Sequence, residues 1–239
     1  NIGGSNQYVQ GGQATFKGGS GEDNLEARNY STAELRGGAD NDYLNTSGVK
    51  DAVLYGDGGD DNLSAYIEAY GTGSTDGNQD LPQSAYLDGG DGNDNLSIRG
   101  DLYLFYGSST ATAIGGLGDD IISVTDAQSQ ANSGFSSVTV DGGDGSDLII
   151  SDKGNDVING GNGFDDLRGG SGDDIIDGGS GEDVIRGGKG KDTIILSEGK
   201  DTVLDFDVRN DSIQGLDLFD HTFSEADSNL TIEFDNELS

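Results

Sequence analysis

The chain has 239 residues, 43 of them Gly, with a hydrophobic fraction of 31% and a formal net charge of −33. So little apolar surface does not outweigh chain entropy and self-repulsion, so the chain is expected to stay largely disordered until a cationic ligand joins it. The acidity argues against nucleic acid and anionic membranes as partners. No hydrophobic run is long enough to span a bilayer, and the absence of Cys leaves neither a disulfide framework nor a thiolate metal site.

Residues 1–17 hold a degenerate start, in which Gly3-Gly4-Ser5-Asn6 has the form of a turn without its Asp. Motifs then recur singly: GGSGEDNLE from Gly18, GGADNDYLN from Gly37, GDGGDDNLS from Gly56, GGDGNDNLS from Gly89 and GGLGDDIIS from Gly115. Their candidate site residues are Gly19, Gly21, Asp23, Asp42, Asp61, Gly90, Gly92, Asp94, Gly116, Gly118 and Asp120. Two inward ladders are expected across residues 1–141. One is Phe16, Leu35, Leu54, Leu87, Ala113 and Val140, and the other is Leu25, Leu44, Leu63, Leu96, Ile122 and Ile149. The coils are of unequal length with one motif turn each, and insertions on the opposite edge absorb the excess. Tyr66, Tyr70, Tyr86, Tyr103 and Tyr106, with Phe105, are assigned to those insertions, and Pro82 lies in the longest. Loops on one face of a solenoid suit contact with protein or polysaccharide. The alternative is that these Tyr cover the flat side of a thin roll.

From Gly142 to Leu204 the sequence becomes seven nine-residue units without slippage: GGDGSDLII, SDKGNDVIN, GGNGFDDLR, GGSGDDIID, GGSGEDVIR, GGKGKDTII and LSEGKDTVL. Each has Gly at its fourth place, Asp at its sixth and an aliphatic residue at its eighth. The sixth-place carboxylates are Asp147, Asp156, Asp165, Asp174, Asp183, Asp192 and Asp201. The turn glycines are Gly143, Gly145, Gly154, Gly161, Gly163, Gly170, Gly172, Gly179, Gly181, Gly188 and Gly190. Glycines permit a tight turn over six places, and the last three suit a short strand with one side chain inward. Two turns and two strands close one coil, and repetition predicts an all-β, right-handed parallel solenoid. Its stacked turns set Asp above Asp along each edge, a repulsive column that requires cations.

The unit resembles the calcium-binding nonapeptide of the RTX family. The resemblance implies a parallel β-roll in which each calcium sits between turns two units apart, held by Asp carboxylates and turn carbonyls. Hard oxygen ligands suit calcium better than transition metals. One row is expected along turns beginning at 18, 37, 56, 89, 115, 142, 160, 178 and 196. A second row starts at 151, with 169, 187 and a member near 205. That arrangement takes about ten calcium ions, or about eleven if every neighbouring pair is filled. Ser151-Asp152 and Leu196-Ser197 replace the paired glycines of units two and seven, so sites there are expected to be distorted or absent.

Residues 205–239 read as a cap. The segment DFDVRNDSIQ resembles one that often closes RTX rolls, with Phe206 and Ile213 as cap residues and Asp211 as a displaced calcium-type Asp. Leu230–Phe234 alternates as a strand, Asp235-Asn236 reads as a turn, and Glu237–Ser239 would begin a second strand of an incomplete hairpin. The chain is therefore expected to be a piece of a longer polypeptide. The sole His, His221, has neither Cys nor a second His to make a zinc site and is assigned to the surface. The whole reads as a secreted, non-enzymatic calcium-binding roll, a structural segment of a surface-layer, adhesin or spacer protein. The alternatives are the calcium-dependent module of a secreted protease, lipase or alginate epimerase, or a polysaccharide-binding module.

Overall fold

A computed structural model describes residues 12–69, 83–102, 109–126, 135, 137–197, 199–215, 221–226 and 229–234. The first strands are β1 (Gln13–Ser20), β2 (Asn24–Arg28), β3 (Thr32–Ala39), β4 (Tyr43–Ser47), β5 (Asp51–Gly58), β6 (Asn62–Ala69) and β7 (Ser84–Asp91). Next come β8 (Asn95–Leu102), β9 (Thr110–Leu117), β10 (Ile121–Asp126), β11 (Ser137–Asp144), β12 (Leu148–Ser151), β13 (Val157–Gly163) and β14 (Asp166–Ser171). The last are β15 (Ile175–Gly181), β16 (Val184–Lys189), β17 (Thr193–Leu196), β18 (Lys200–Val203), β19 (Ser212–Gly215), β20 (His221–Ala226) and β21 (Asn229–Phe234).

Odd-numbered strands from β1 to β19 form one parallel sheet, and even-numbered strands from β2 to β18 form the other, with β21 and β20 added at its end. Consecutive strands therefore alternate between two facing sheets, as the nine-residue period requires. The first edge carries the motif turns, such as the one between β1 and β2. The second edge joins the end of each coil to the next.

Both expected ladders are present in register. Phe16, Leu35, Leu54, Leu87, Ala113 and Val140 pair in succession, then continue through Ile158, Ile176, Ile194 and Ile213. Leu25, Leu44, Leu63, Leu96, Ile122 and Ile149 likewise continue through Leu167, Ile185 and Val203. Most of these side chains are fully buried, which is how a thin roll obtains a core from one inward residue per short strand.

The amino-terminal coils are wider. Their longer strands show a buried position at every second residue, and this adds a second inward column to each sheet. One column runs Ala14, Ala33, Ala52, Ala85, Ala111 and Val138. The other runs Ala27, Thr46, Ala65, Ile98, Val124 and Ser151. Toward the second edge, Tyr30, Val49, Ile67 and Phe135 are buried as well.

Two expectations are corrected. Tyr66 and Tyr86 lie in strands β6 and β7, paired with Arg99 and Thr112, rather than in insertions. Alternation carries the strands past the point where the motif ends. Tyr70, Tyr103, Phe105 and Tyr106 lie outside the described residues. At the carboxyl end, the strand containing Leu230–Phe234 is antiparallel both to β18 and to β20, which precedes it. Its hairpin partner is thus the segment that begins at His221, and the expected turn at Asp235-Asn236 lies outside the described residues. This hairpin covers the last parallel edge of one sheet, whereas the other ends on β19, itself parallel to β17. Phe206 and Ile213 pack against the core there, as expected of cap residues.

Candidate metal centre

The twelve sixth-place carboxylates and the displaced Asp211 stack into two columns. Along the first edge the backbone N–H of Asp23 donates to Oδ1 of Asp42, that of Asp42 to Asp61, and that of Asp61 to Asp94, each at 2.7 Å. The chain of bonds continues from Asp94 to Asp120 and from Asp120 to Asp147, both at 2.7 Å. It ends with Asp147 to Asp165 at 2.8 Å, Asp165 to Asp183 at 2.9 Å and Asp183 to Asp201 at 3.2 Å. Along the second edge the same pattern joins Asp156 to Asp174 at 2.9 Å, Asp174 to Asp192 at 3.1 Å and Asp192 to Asp211 at 3.0 Å. Coils of 18 to 33 residues thus enter one unbroken column, because the insertions leave the motif turn unchanged.

The interior carboxylates of the columns spend one oxygen on a neighbouring coil and leave the other without a protein partner, while Asp156, first of the second column, spends its oxygen on Ser151 of its own turn. Oδ2 of Asp42, Asp61, Asp94, Asp120, Asp147, Asp165, Asp174, Asp183 and Asp192, and Oδ1 of Asp156, are buried with no hydrogen-bond donor. A buried, orphaned carboxylate oxygen is costly unless a cation meets it. Without one, burial pushes Asp61, Asp120, Asp174 and Asp183 up to about 7, helped by neighbouring Asp residues. Burial likewise raises Asp94, Asp147, Asp156, Asp165 and Asp201 to about 6.

The glycines form the rest of the cradle. At Gly142, the spot a Cβ would take lies 2.4 Å from Oδ2 of Asp147 and 2.4 Å from the carbonyl of Gly160 in the next coil. The second- and fourth-place glycines named as site residues all have positive φ, and carbonyls such as those of Gly118, Gly143 and Gly145 face the turn glycine of the next coil. A Cβ on Gly145 would meet the Gly118 carbonyl at 1.8 Å, so only glycine fits between the stacked turns. Among the described residues no three acidic or His side chains converge on one point. A cation at each level would therefore be held by carboxylates from stacked coils together with turn carbonyls. That all-oxygen set suits a hard divalent ion.

The irregular units keep their places in the columns. In unit two, Ser151 Oγ donates to Oδ2 of Asp156 at 2.5 Å, and Gly170 in the next coil packs on the Asp152 carbonyl. In unit seven, Gly199 pairs with Gly181, Ser197 Oγ donates to Asp177 at 2.7 Å, and Asp201 is buried. Asp23 and Asp211, at the ends of the columns, are only partly buried. Two features escaped the motif reading. Asp205, at the first place of the turn whose column carboxylate is Asp211, takes the amide of Gly187 at 3.0 Å and is pushed up by burial. An outer ladder also runs through the fifth places, where Asp60, Asn93 and Asp119 amides donate to Asn41, Asp60 and Asn93 side chains. Its signal was the repeated Asn or Asp directly before the sixth-place Asp.

Tyr55, Tyr66 and Tyr86 are engaged by neighbouring side chains of the roll, while Tyr43 in β4 is exposed. The Arg36 guanidinium sits 4.1 Å from the Tyr55 ring centroid, Tyr55 and Tyr86 lie 5.7 Å apart, and Arg99 lies 6.0 Å from Tyr66.

Two facing parallel sheets joined by carboxylate-lined glycine turns define a parallel β-roll with cation sites in its turns. Residues 139–167 and 168–203 match the model of the RTX calcium-binding nonapeptide repeat. Residues 139–203 therefore carry RTX calcium-binding repeats, which imply a calcium-binding roll over that stretch. No curated protein matches the chain. Among the described residues no helix is long and apolar enough to cross a membrane.

Proposed function

We propose that the chain is a secreted, non-enzymatic structural segment of an extracellular surface-layer, adhesin or spacer protein, and that it folds as it binds calcium. The observation that carries this reading is the double column itself. Its carboxylates bridge neighbouring coils, so their chemistry is spent on holding a long coil together. Nine motif turns on the first edge, stacked at about 4.8 Å, give a rod about 40 Å long. Calcium is abundant outside cells and scarce inside, so the same column favours an unfolded chain before export and a stiff rod after it. The occurrence of RTX repeats typically in secreted proteins supports the location.

Two measurements test this. Small-angle scattering should show a compact rod at millimolar calcium and an expanded chain in chelator. Antibody labelling of intact source cells should give a surface signal that chelator weakens. Labelling only after lysis would contradict the extracellular role, and a calcium-dependent catalytic activity of the parent polypeptide would favour an enzyme module instead.

A further inference from the structure

We infer that the roll is built as two calcium-response zones, with the wide amino-terminal coils holding their fold at free calcium too low for the regular block. The inference rests on the proposed coupling of folding to calcium and goes beyond it by assigning an order to the coils.

The ratio of apolar side chains to column carboxylates differs sharply between the zones. The coil of β5 and β6 buries Val49, Ala52, Leu54, Leu63, Ala65 and Ile67, and contributes one buried column carboxylate, Asp61. The coil of β15 and β16 buries only Ile176 and Ile185, and contributes two, Asp174 and Asp183. Stability in a solenoid is roughly a sum over repeats and their neighbours, so this ratio acts locally. Removing calcium takes a smaller share of the support from a coil with a broad carbon core and one charged turn. It takes most of the support from a coil held by two charged turns around two aliphatic side chains.

The boundary is visible on the second edge. Among the described residues before residue 151, Tyr30, Val49 and Phe135 are buried along that edge and no column carboxylate enters it. At the boundary the inward column ends in Ser151, whose hydroxyl turns to Asp156, the first carboxylate of the second column. A Cβ on Gly154, in the same turn, would lie 3.2 Å from the Phe135 carbonyl, so the last apolar seal and the first charged turn are direct neighbours. The second column is thus founded on the apolar seal of the first zone, and the zone below supplies a folded surface on which the regular block can assemble as calcium rises.

Peptide-resolved hydrogen exchange of the whole chain against buffered free calcium tests the inference. Peptides from β3 to β10 should become protected at a calcium midpoint at least about threefold below that of peptides from β13 to β18. Replacing Ile67 and Ile98 by Ala together should close that gap by raising the first midpoint alone. One shared midpoint, an earlier loss in the wide coils, or a double variant that shifts both zones equally would overturn the zoning. Unchanged protection everywhere in excess chelator would overturn the calcium-coupled folding beneath it.

Discussion

Substitution of Asp165 separates the two jobs of a column carboxylate. Its side chain is fully buried, Oδ1 receives the amide of Asp147 at 2.8 Å, and Oδ2 has no protein partner. Asp165→Ala leaves the Asp147 amide buried without an acceptor and takes a carboxylate from the sites shared with the coils on either side. Loss of a hydrogen bond to a charged group and exposure of an orphaned amide together cost about 2–4 kcal/mol. At fixed calcium the variant should melt well below the parent, and its calcium midpoint should rise several-fold, about tenfold per 1.4 kcal/mol of lost affinity. Asp23→Ala, at the partly exposed end of the same column, should cost about 1 kcal/mol or less. Asp165→Asn keeps an acceptor for the Asp147 amide and removes the charge. It should raise the calcium midpoint as the Ala variant does, yet stabilise the coil in chelator because a buried charge is gone. Circular dichroism melts across buffered calcium measure all three. An Asn variant with the parent's calcium midpoint would refute a liganding role for this carboxylate.

Other expected outcomes follow from the same geometry. Gly170 has φ of 105° and would place a Cβ 2.3 Å from the Asp152 carbonyl, so Gly170→Ala should lose more than about 1 kcal/mol in a calcium-saturated melt. Leu63 is fully buried in the ladder, and Leu63→Ala should lose about 3 kcal/mol, read from urea midpoints at saturating calcium. Burial in the calcium-free coil pushes Asp61, Asp120, Asp147, Asp165 and Asp174 up to about 6 to 7, above the ordinary Asp value near 4 in the unfolded chain. The coil then takes up protons on folding between those values, so its calcium-free stability should rise as pH falls from about 7 to about 4. In chelator, β signal at pH 5 should exceed that at pH 7.5; equal signals would contradict the buried-column electrostatics. Magnesium, which holds its water more tightly, should substitute poorly for calcium in a folding titration.

The columns and primary ladders were legible because they sit at fixed offsets from a glycine turn. Asp61 and Leu63 keep the same spacing from Gly56 that Asp147 and Ile149 keep from Gly142. Even a 33-residue coil preserved that offset, since the insertion enters on the opposite edge. The second inward columns were not legible. Ala52, Ala85 and Ala111 carry little hydropathy signal, and Thr46 and Ser151 carry none, yet the strand's alternation turns them inward. The same continuation of the strand explains why Tyr66 is on a sheet face rather than in a loop. The pairing of the cap was also hidden. Whether Asn229–Phe234 pairs with what precedes or follows it depends on the free edge that β18 offers, which only the assembled roll presents.

The most direct test of the account is far-ultraviolet circular dichroism of the whole chain titrated with free calcium from excess chelator to millimolar concentration. The account expects low β signal at the start, a cooperative rise as calcium loads the columns, and little rise with magnesium. Full β signal in excess chelator at neutral pH would contradict it.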